Sequence, residues 1–207
     1  AVLARMAHAL ELPRYEPKAD WQRRLGEWTH RRRQVVETLA TERQRQESLT
    51  DPVLRRLART LIGHLERTVR ELDRQIGQQV QARPELEPLR SLKGVGPTLQ
   101  ATLASELPEL GRLSGKAIAK LVGVAPLARD SGTFRGRRTA WGGRAQIRAP
   151  LYMAAMSAMR HEPQLRGLYE ALRARGKAGK VAIVAVMRKM LVILNARMRD
   201  QLAIGTA

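Results

Sequence analysis

The stretch DPVLRRLARTLIGHLERTVRELDRQIGQQVQA, which runs from Asp51 to Ala82, decides how this chain folds. Asp51 is a preferred N-cap residue and Pro52 suits the first helical turn, so the pair predicts the start of a helix. Apolar residues then recur at steps of three or four, the spacing of one helix face. They are Leu54, Leu57, Leu61, Leu65, Val69, Leu72, Ile76 and Val80. The pattern predicts one helix that ends near Ala82 and is about 45 Å long.

A second amphipathic helix precedes this one, and Asp20 is predicted to cap it. Its apolar residues are Trp21, Leu25, Trp28, Val35 and Leu39, and its other face is rich in arginine. Because only a short turn separates the two helices, we expect an antiparallel hairpin of the coiled-coil type over residues 18–84. The apolar seam can pack within the hairpin, against a second copy, or both. We therefore expect a homo-oligomer, either a dimer or a tetramer.

The composition favours helices and a polyanionic partner. The chain has 207 residues, of which 43% are hydrophobic and only 3% aromatic, so the core must consist mainly of aliphatic side chains. The formal charge is +19 and the isoelectric point is near 11.6, which points to nucleic acid. There is no cysteine, which excludes disulfides and thiolate metal sites. No segment approaches the ~20 apolar residues that span a bilayer, so we expect no membrane partner.

Residues 89–107 match a helix-hairpin-helix pattern. The segment LRSLKGVGPT (89–98) places Gly94 and Gly96 between two short predicted helices, and Lys93 adds charge. Two glycines in such a turn allow backbone N–H groups to point at a phosphate near a helix start. We name Lys93, Gly94 and Gly96 as candidate nucleic-acid ligands. The alternative is a tight turn between helices with no ligand.

The stretch GVAPLARDSGTFRGRRTAWGGRAQIR (123–148) carries the most chemistry. Ser131 stands beside Gly132, and Gly136, Gly142 and Gly143 are expected to interrupt regular structure. Arginines can hold phosphate oxygens in a bidentate manner. The candidate nucleic-acid ligands here are Arg129, Arg135, Arg137, Arg138, Arg144 and Arg148. Ser131 is the candidate nucleophile, and the alternative is a binding loop in which this serine only forms a turn.

The rest of the chain predicts further helices and no metal site. Ser114 is expected to cap a helix over 116–122, and helices are expected over 145–159, 164–173 and 181–199. The four histidines lie too far apart for a local zinc motif. The fold class is therefore mainly α: a long helical hairpin, then a compact helical domain that contains the helix-hairpin-helix and the Arg/Gly-rich loop.

Five segments together resemble one family. They are LKGVGPTLQATLASE, AIAKLVGVAP, DSGTFRG, WGGRAQIRAPLYMA and GKAGKVAIVAVMRKMLVILNARMRD. In this order and spacing they resemble the C-terminal domain of the DEDD-type insertion-sequence transposases, the Piv-related, bridge-RNA-guided recombinases. The resemblance covers more than half of the chain, from about Leu92 to Asp200.

The resemblance implies a DNA transposase or recombinase that cuts and rejoins DNA through a phosphoserine, with Ser131 at the matching position. It implies three regions: a tail of a RuvC-like domain (1–17), the coiled-coil hairpin (18–84) and a transposase domain (85–207). It also implies a guide RNA, a bacterial cytoplasmic location near the nucleoid, and Mg²⁺ bound by a RuvC-like domain that this sequence lacks. We therefore expect a fragment that binds nucleic acid without recombining it. The alternative is a non-catalytic module for DNA or RNA binding and oligomerisation.

Overall fold

The computed structural model describes residues 2–9, 17–127, 132–133, 136 and 139–204. These residues form a mainly helical protein, as predicted. The helices before residue 97 are α1 (Val2–Ala9), α2 (Asp20–Ser48), α3 (Pro52–Gln81) and, after a 3-10 turn (Pro84–Leu86), α4 (Glu87–Arg90). The later ones are α5 (Pro97–Glu106), α6 (Gly115–Val122), α7 (Ala145–His161), α8 (Pro163–Ala174) and α9 (Gly179–Ile204). Two strands, β1 (Pro126–Leu127) and β2 (Thr139–Ala140), lie between α6 and α7.

Helices α2 and α3 form the predicted antiparallel hairpin. The Arg32–Asp73 ion pair (2.5 Å) and the Arg43–Glu66 ion pair (2.7 Å) both cross between them. The residue numbers of the two arginines rise along α2 while those of their acidic partners fall along α3. The two helices are therefore antiparallel. Asp51 caps α3 as predicted, because its carboxylate accepts from the backbone N–H groups of residues 53 and 54. The predicted cap at Asp20 is wrong: Ala19 holds the N-cap position, and Asp20 lies in the first turn of α2.

The predicted apolar seam is buried only along part of its length. Leu72, Ile76 and Val80 are buried near the compact domain. Leu54, Leu57 and Leu61, near the turn between the helices, are 49%, 58% and 45% exposed. In that half Ile62 is the buried residue of α3, so the seam of the sequence pattern is not a continuous buried stripe. The coiled-coil character of the hairpin stays a prediction.

The core lies where the hairpin meets the other helices. Helix α5 packs against α2, α3 and α7, and every residue from Leu99 to Ser105 is buried. Helix α9 packs against α4, α6, α7 and α8 and buries Met190, Leu191 and Leu194. Buried Asn195 ties α9 to the turn before α6, because its side chain accepts from the N–H of Gly111 (2.9 Å) and donates to the carbonyl of residue 113 (2.9 Å). Among the residues described, we find no helix with the length and apolar character needed to cross a membrane.

Candidate nucleic-acid interface

A short β-stem carries the segment that contains Ser131. Strands β1 and β2 are antiparallel, with Pro126 opposite Ala140 and Leu127 opposite Thr139. Residues 128–138, which we call the serine loop, therefore join the two strands of a hairpin. As expected, Gly136, Gly142 and Gly143 lie outside regular structure, but the two short strands themselves were not predicted. Two-residue strands contain no alternation of polar and apolar residues, so the sequence pattern could not reveal them.

All five predicted site residues of the serine loop lie outside the described residues. They are Ser131, Arg129, Arg135, Arg137 and Arg138. Their roles stay predictions. The structure does describe what surrounds the loop, which is the stem, the end of α6 and the start of α7.

The foot of the stem is closed by two glycines whose backbones touch. Gly123 ends α6 with a φ of +79°, as a left-handed C-cap. Gly143 has a φ of +65°, and a Cβ on it would lie 2.5 Å from the backbone nitrogen of Gly123 and 2.6 Å from the carbonyl oxygen of Leu121. The backbone N–H of Arg144 also donates to that carbonyl (3.1 Å). The two backbones can come this close only because neither glycine has a side chain. The contact holds the backbone that follows β2 against the end of α6.

Arg144 and Arg148, both predicted ligands of nucleic acid, bind protein atoms at this foot. The Arg144 guanidinium makes two bonds of 2.6 Å to the Glu109 carboxylate and one of 2.7 Å to the Glu106 carbonyl. The Arg148 guanidinium donates to the carbonyls of Val122 (3.3 Å) and Gly142. Both side chains therefore hold the loop ends in the unbound protein. Their predicted contact with phosphate stays a prediction, and it would require these bonds to be shared or exchanged.

The Glu109–Arg144 pair predicts a pH-dependent stability. Hydrogen bonds from Arg144 lower the pKa of the Glu109 carboxyl. The pair therefore stabilises the fold fully above the ordinary carboxyl pKa, and this contribution is lost as the pH falls through the lowered pKa. We expect Glu109→Gln to reduce the free energy of unfolding by about 1 kcal/mol at neutral pH, since the pair is partly exposed. The difference from wild type should shrink below about pH 4.

Urea denaturation of both proteins across this pH range measures the effect. Glu170→Gln is the control, because it removes an exposed carboxylate from α8 of the same domain. A loss in Glu109→Gln that stays constant down to acid pH would show that the ion pair is not its source.

The glycine turn predicted as a helix-hairpin-helix is pinned to α7. Gly94 has a φ of +91°, and a Cβ on it would lie 2.6 Å from the backbone nitrogen of Ala158. The backbone N–H of Lys93 donates to the Glu162 carboxylate (3.1 Å), so a protein anion already occupies one donor of the turn. The helix before the turn, α4, has only four residues. These contacts show that the turn packs closely against α7. Its phosphate-binding role stays a prediction.

A cleft of about 900 Å³ connects the glycine turn with the start of α7. Gly94, Gly96 and Thr98 lie on one side of it, Arg33 and Val36 of α2 on another, and Gln146 and Met153 of α7 on the third. Gly96 precedes α5 as its N-cap. The structure thus brings two of the predicted hairpin ligands into one cleft with the helix that begins at the foot of the serine loop.

Both the hairpin and the domain that carries the loop are positively charged. Residues 85–207 contain 21 Lys and Arg against 8 Asp and Glu, and residues 18–84 contain 15 against 9, so the net charge per residue is about +0.1 in each. Either region can therefore contact a polyanion. Within the described part of the chain, no group of three or more His, Cys, Asp or Glu could hold a metal ion.

Comparisons with known proteins find similar sequences among transposases and a DNA-inverting protein. Residues 86–170 match the transposase IS116/IS110/IS902 family. The chain is 30% identical over 207 residues to the pilin gene-inverting protein of Moraxella bovis, a match that covers 96% of this chain and 64% of that protein. It is 31% identical over 133 residues to the insertion element IS110 uncharacterized 43.6 kDa protein of Streptomyces coelicolor, covering 63% of this chain and 33% of that protein.

The chain therefore spans less than two thirds of the length of these curated relatives. The matched segment includes the glycine turn, the stem and the whole serine loop. Over these residues, 86–170, the chain is similar to the transposases of the IS116/IS110/IS902 family.

Proposed function

We propose that this chain is part of a DNA recombinase that cuts and rejoins DNA through a covalent phosphoserine at Ser131. The observation that carries the proposal is the family match, because it spans the serine loop. The relative in Moraxella bovis is named as a pilin gene-inverting protein, and inversion of a gene requires breaking and joining DNA strands. The cationic domain and the fixed foot of the stem give that chemistry a charged and positioned support.

The proposed step is the attack of the Ser131 hydroxyl oxygen on a DNA phosphorus. The oxygen–phosphorus bond forms as the bond from phosphorus to one sugar oxygen breaks. The serine proton passes to solvent, and the released sugar oxygen takes a proton from solvent. The number of phosphodiester bonds is conserved, so the reverse attack by a new strand end can rejoin DNA without an energy source. Arginines of the serine loop would stabilise the charge that develops on the phosphoryl oxygens.

The metal and the guide are part of the same proposal. Mg²⁺ in a RuvC-like domain would supply Lewis-acid activation, and the described residues of this chain do not form a metal cluster of their own. A guide RNA would select the target by base pairing while the protein holds the backbones, which suits a strongly basic domain. Because the substrate would be bacterial DNA, we place the protein at the nucleoid.

The adduct itself is the direct test. The whole protein is incubated with DNA from its insertion element and with RNA transcribed from that element, then denatured and digested with protease. We expect a DNA-linked peptide that contains Ser131 and yields phosphoserine. Salt-sensitive binding without any adduct would favour the alternative, a module that only binds nucleic acid.

We further propose that the exposed part of the hairpin seam mediates a homo-oligomer. Leu54, Leu57 and Leu61 form an apolar stripe that no other described helix covers, and such a stripe favours association. Replacing all three by Gln should convert oligomers to monomers in size-exclusion chromatography with light scattering. The unfolding free energy should change by less than about 0.5 kcal/mol per site.

Val181→Gln is the matched control, because Val181 of α9 is 55% exposed but lies far along the chain from the stripe. An unchanged assembly in the triple variant would place the contact elsewhere.

A further inference from the structure

Trp141 is the exposed aromatic side chain at the foot of the serine loop. It follows β2 directly and is 50% exposed. The other two tryptophans of the chain, Trp21 and Trp28, are partly buried against the core. The exposed half of the ring presents a large apolar surface to other molecules. This surface is available to a ligand.

The backbone after Trp141 is held by protein contacts on one side and has free space on the other. Gly143 is locked against the end of α6, and Arg148 holds the carbonyl of Gly142. Gly142 has a φ of +69°, yet a Cβ on it would meet no atom within 4 Å. The Trp141 ring is therefore attached to a backbone segment that is held in place. Beside it, Gly142 leaves space for another molecule to approach the backbone closely.

The surroundings of Trp141 suit a nucleotide. Only β2 separates it from the serine loop, a distance of about 7 Å at 3.3 Å per residue. The excess of Lys and Arg in residues 85–207 favours phosphates in the same region. An indole ring stacks well on any nucleobase, but in an intact duplex the base faces are covered by their neighbours. A ring in this position therefore suits an unpaired base.

We propose that Trp141 is a stacking platform for an unpaired nucleobase next to the phosphodiester that Ser131 attacks. The proposal rests on the proposed function and adds a named contact to it. The base can belong to a DNA strand opened for exchange or to a guide RNA, and the two present the same π-face. Stacking would hold the base parallel to the indole ring and so restrict where the attached phosphate can lie.

Fluorescence of Trp141 tests the contact directly. In a Trp21→Phe, Trp28→Phe variant of the whole protein, Trp141 is the remaining tryptophan of this chain, and any tryptophan outside it is also changed to Phe. We expect single-stranded DNA or RNA to quench its emission and intact duplex or inorganic polyphosphate to quench it far less. The DNA and RNA arms show which strand supplies the base. Equal quenching by polyphosphate would overturn the proposal, because charge alone would explain it.

Binding measured in the otherwise wild-type protein gives an independent test. We expect Trp141→Ala to weaken binding of single-stranded oligonucleotide about 5- to 150-fold, the effect of one lost stack. Trp141→Phe should retain most of the affinity. Val181→Ala is the control, because it truncates a 55%-exposed apolar side chain of α9 that does not line the cleft. Unchanged binding in Trp141→Ala overturns the stacking role while the proposed function stands. A wild-type protein that binds no nucleic acid at all would refute the proposed function itself.

Discussion

Ser131→Ala is expected to abolish the covalent protein–DNA adduct and to reduce strand exchange by at least about 10³-fold. The reason is chemical: alanine has no oxygen that can form the bond to phosphorus, and no described residue can replace it at the same position. Removal of one hydroxyl leaves the charge of the domain unchanged. We therefore expect the affinity for nucleic acid to change by less than about threefold.

The measurement separates chemistry from binding. Adduct formation is followed on denaturing gels, and affinity is followed by filter binding with the same DNA and RNA. Thr133→Ala is the matched control, since Thr133 carries the next hydroxyl of the loop and is exposed. It should form the adduct at close to the wild-type rate. An adduct that persists in Ser131→Ala, or one that is lost in Thr133→Ala alone, would move the nucleophile to another residue.

The helix ends and helix periodicities of this fold could be predicted from the sequence where they depend on residues close together in the chain. Asp51 and Ser114 cap their helices because an N-cap contact spans only two or three residues. Ala19 holds the N-cap position because its carbonyl accepts from the N–H groups of Gln22 (2.9 Å) and Arg23 (3.1 Å), while the Gln22 side chain accepts from the N–H of Ala19 (3.0 Å). The helix pattern of α3 was clear, but its periodicity did not show which half the rest of the protein would cover.

Contacts between distant residues set the site, and the sequence could not show them. Arg144 and Arg148 looked like free phosphate ligands, because nothing in the sequence reveals that Glu109 lies beside Arg144, 35 positions away along the chain. Gly94 looked like a phosphate-binding glycine, and its positive φ is real, but the close approach of α7 is a tertiary contact. Glycine is favoured both by ligand approach and by helix packing, so the residue alone does not distinguish them.

Gly143→Ala is expected to detach the serine loop from its foot and to remove recombination activity. The added Cβ would lie 2.5 Å from the backbone nitrogen of Gly123, a separation that real Cβ atoms do not show, and both partners are backbone atoms that cannot rotate away. The positive φ adds strain of about 1 kcal/mol, and relief of the clash costs a further 1–3 kcal/mol. Arg144 follows directly, so a displaced Gly143 also moves its guanidinium away from Glu109. We expect a loss of about 2–4 kcal/mol of unfolding free energy.

Gly142→Ala is the control that isolates the contact. Gly142 is the adjacent residue and has nearly the same φ, +69° against +65°, but its Cβ would point into open space. Strain from φ alone should cost about 1 kcal/mol in both variants, so the difference between them measures the approach of the two glycine backbones. Urea unfolding gives that difference, and adduct formation shows whether it reaches Ser131. Equal losses in the two variants would mean that the loop does not depend on this contact, and that the stem and the Arg148 bond to Gly142 are enough to hold it.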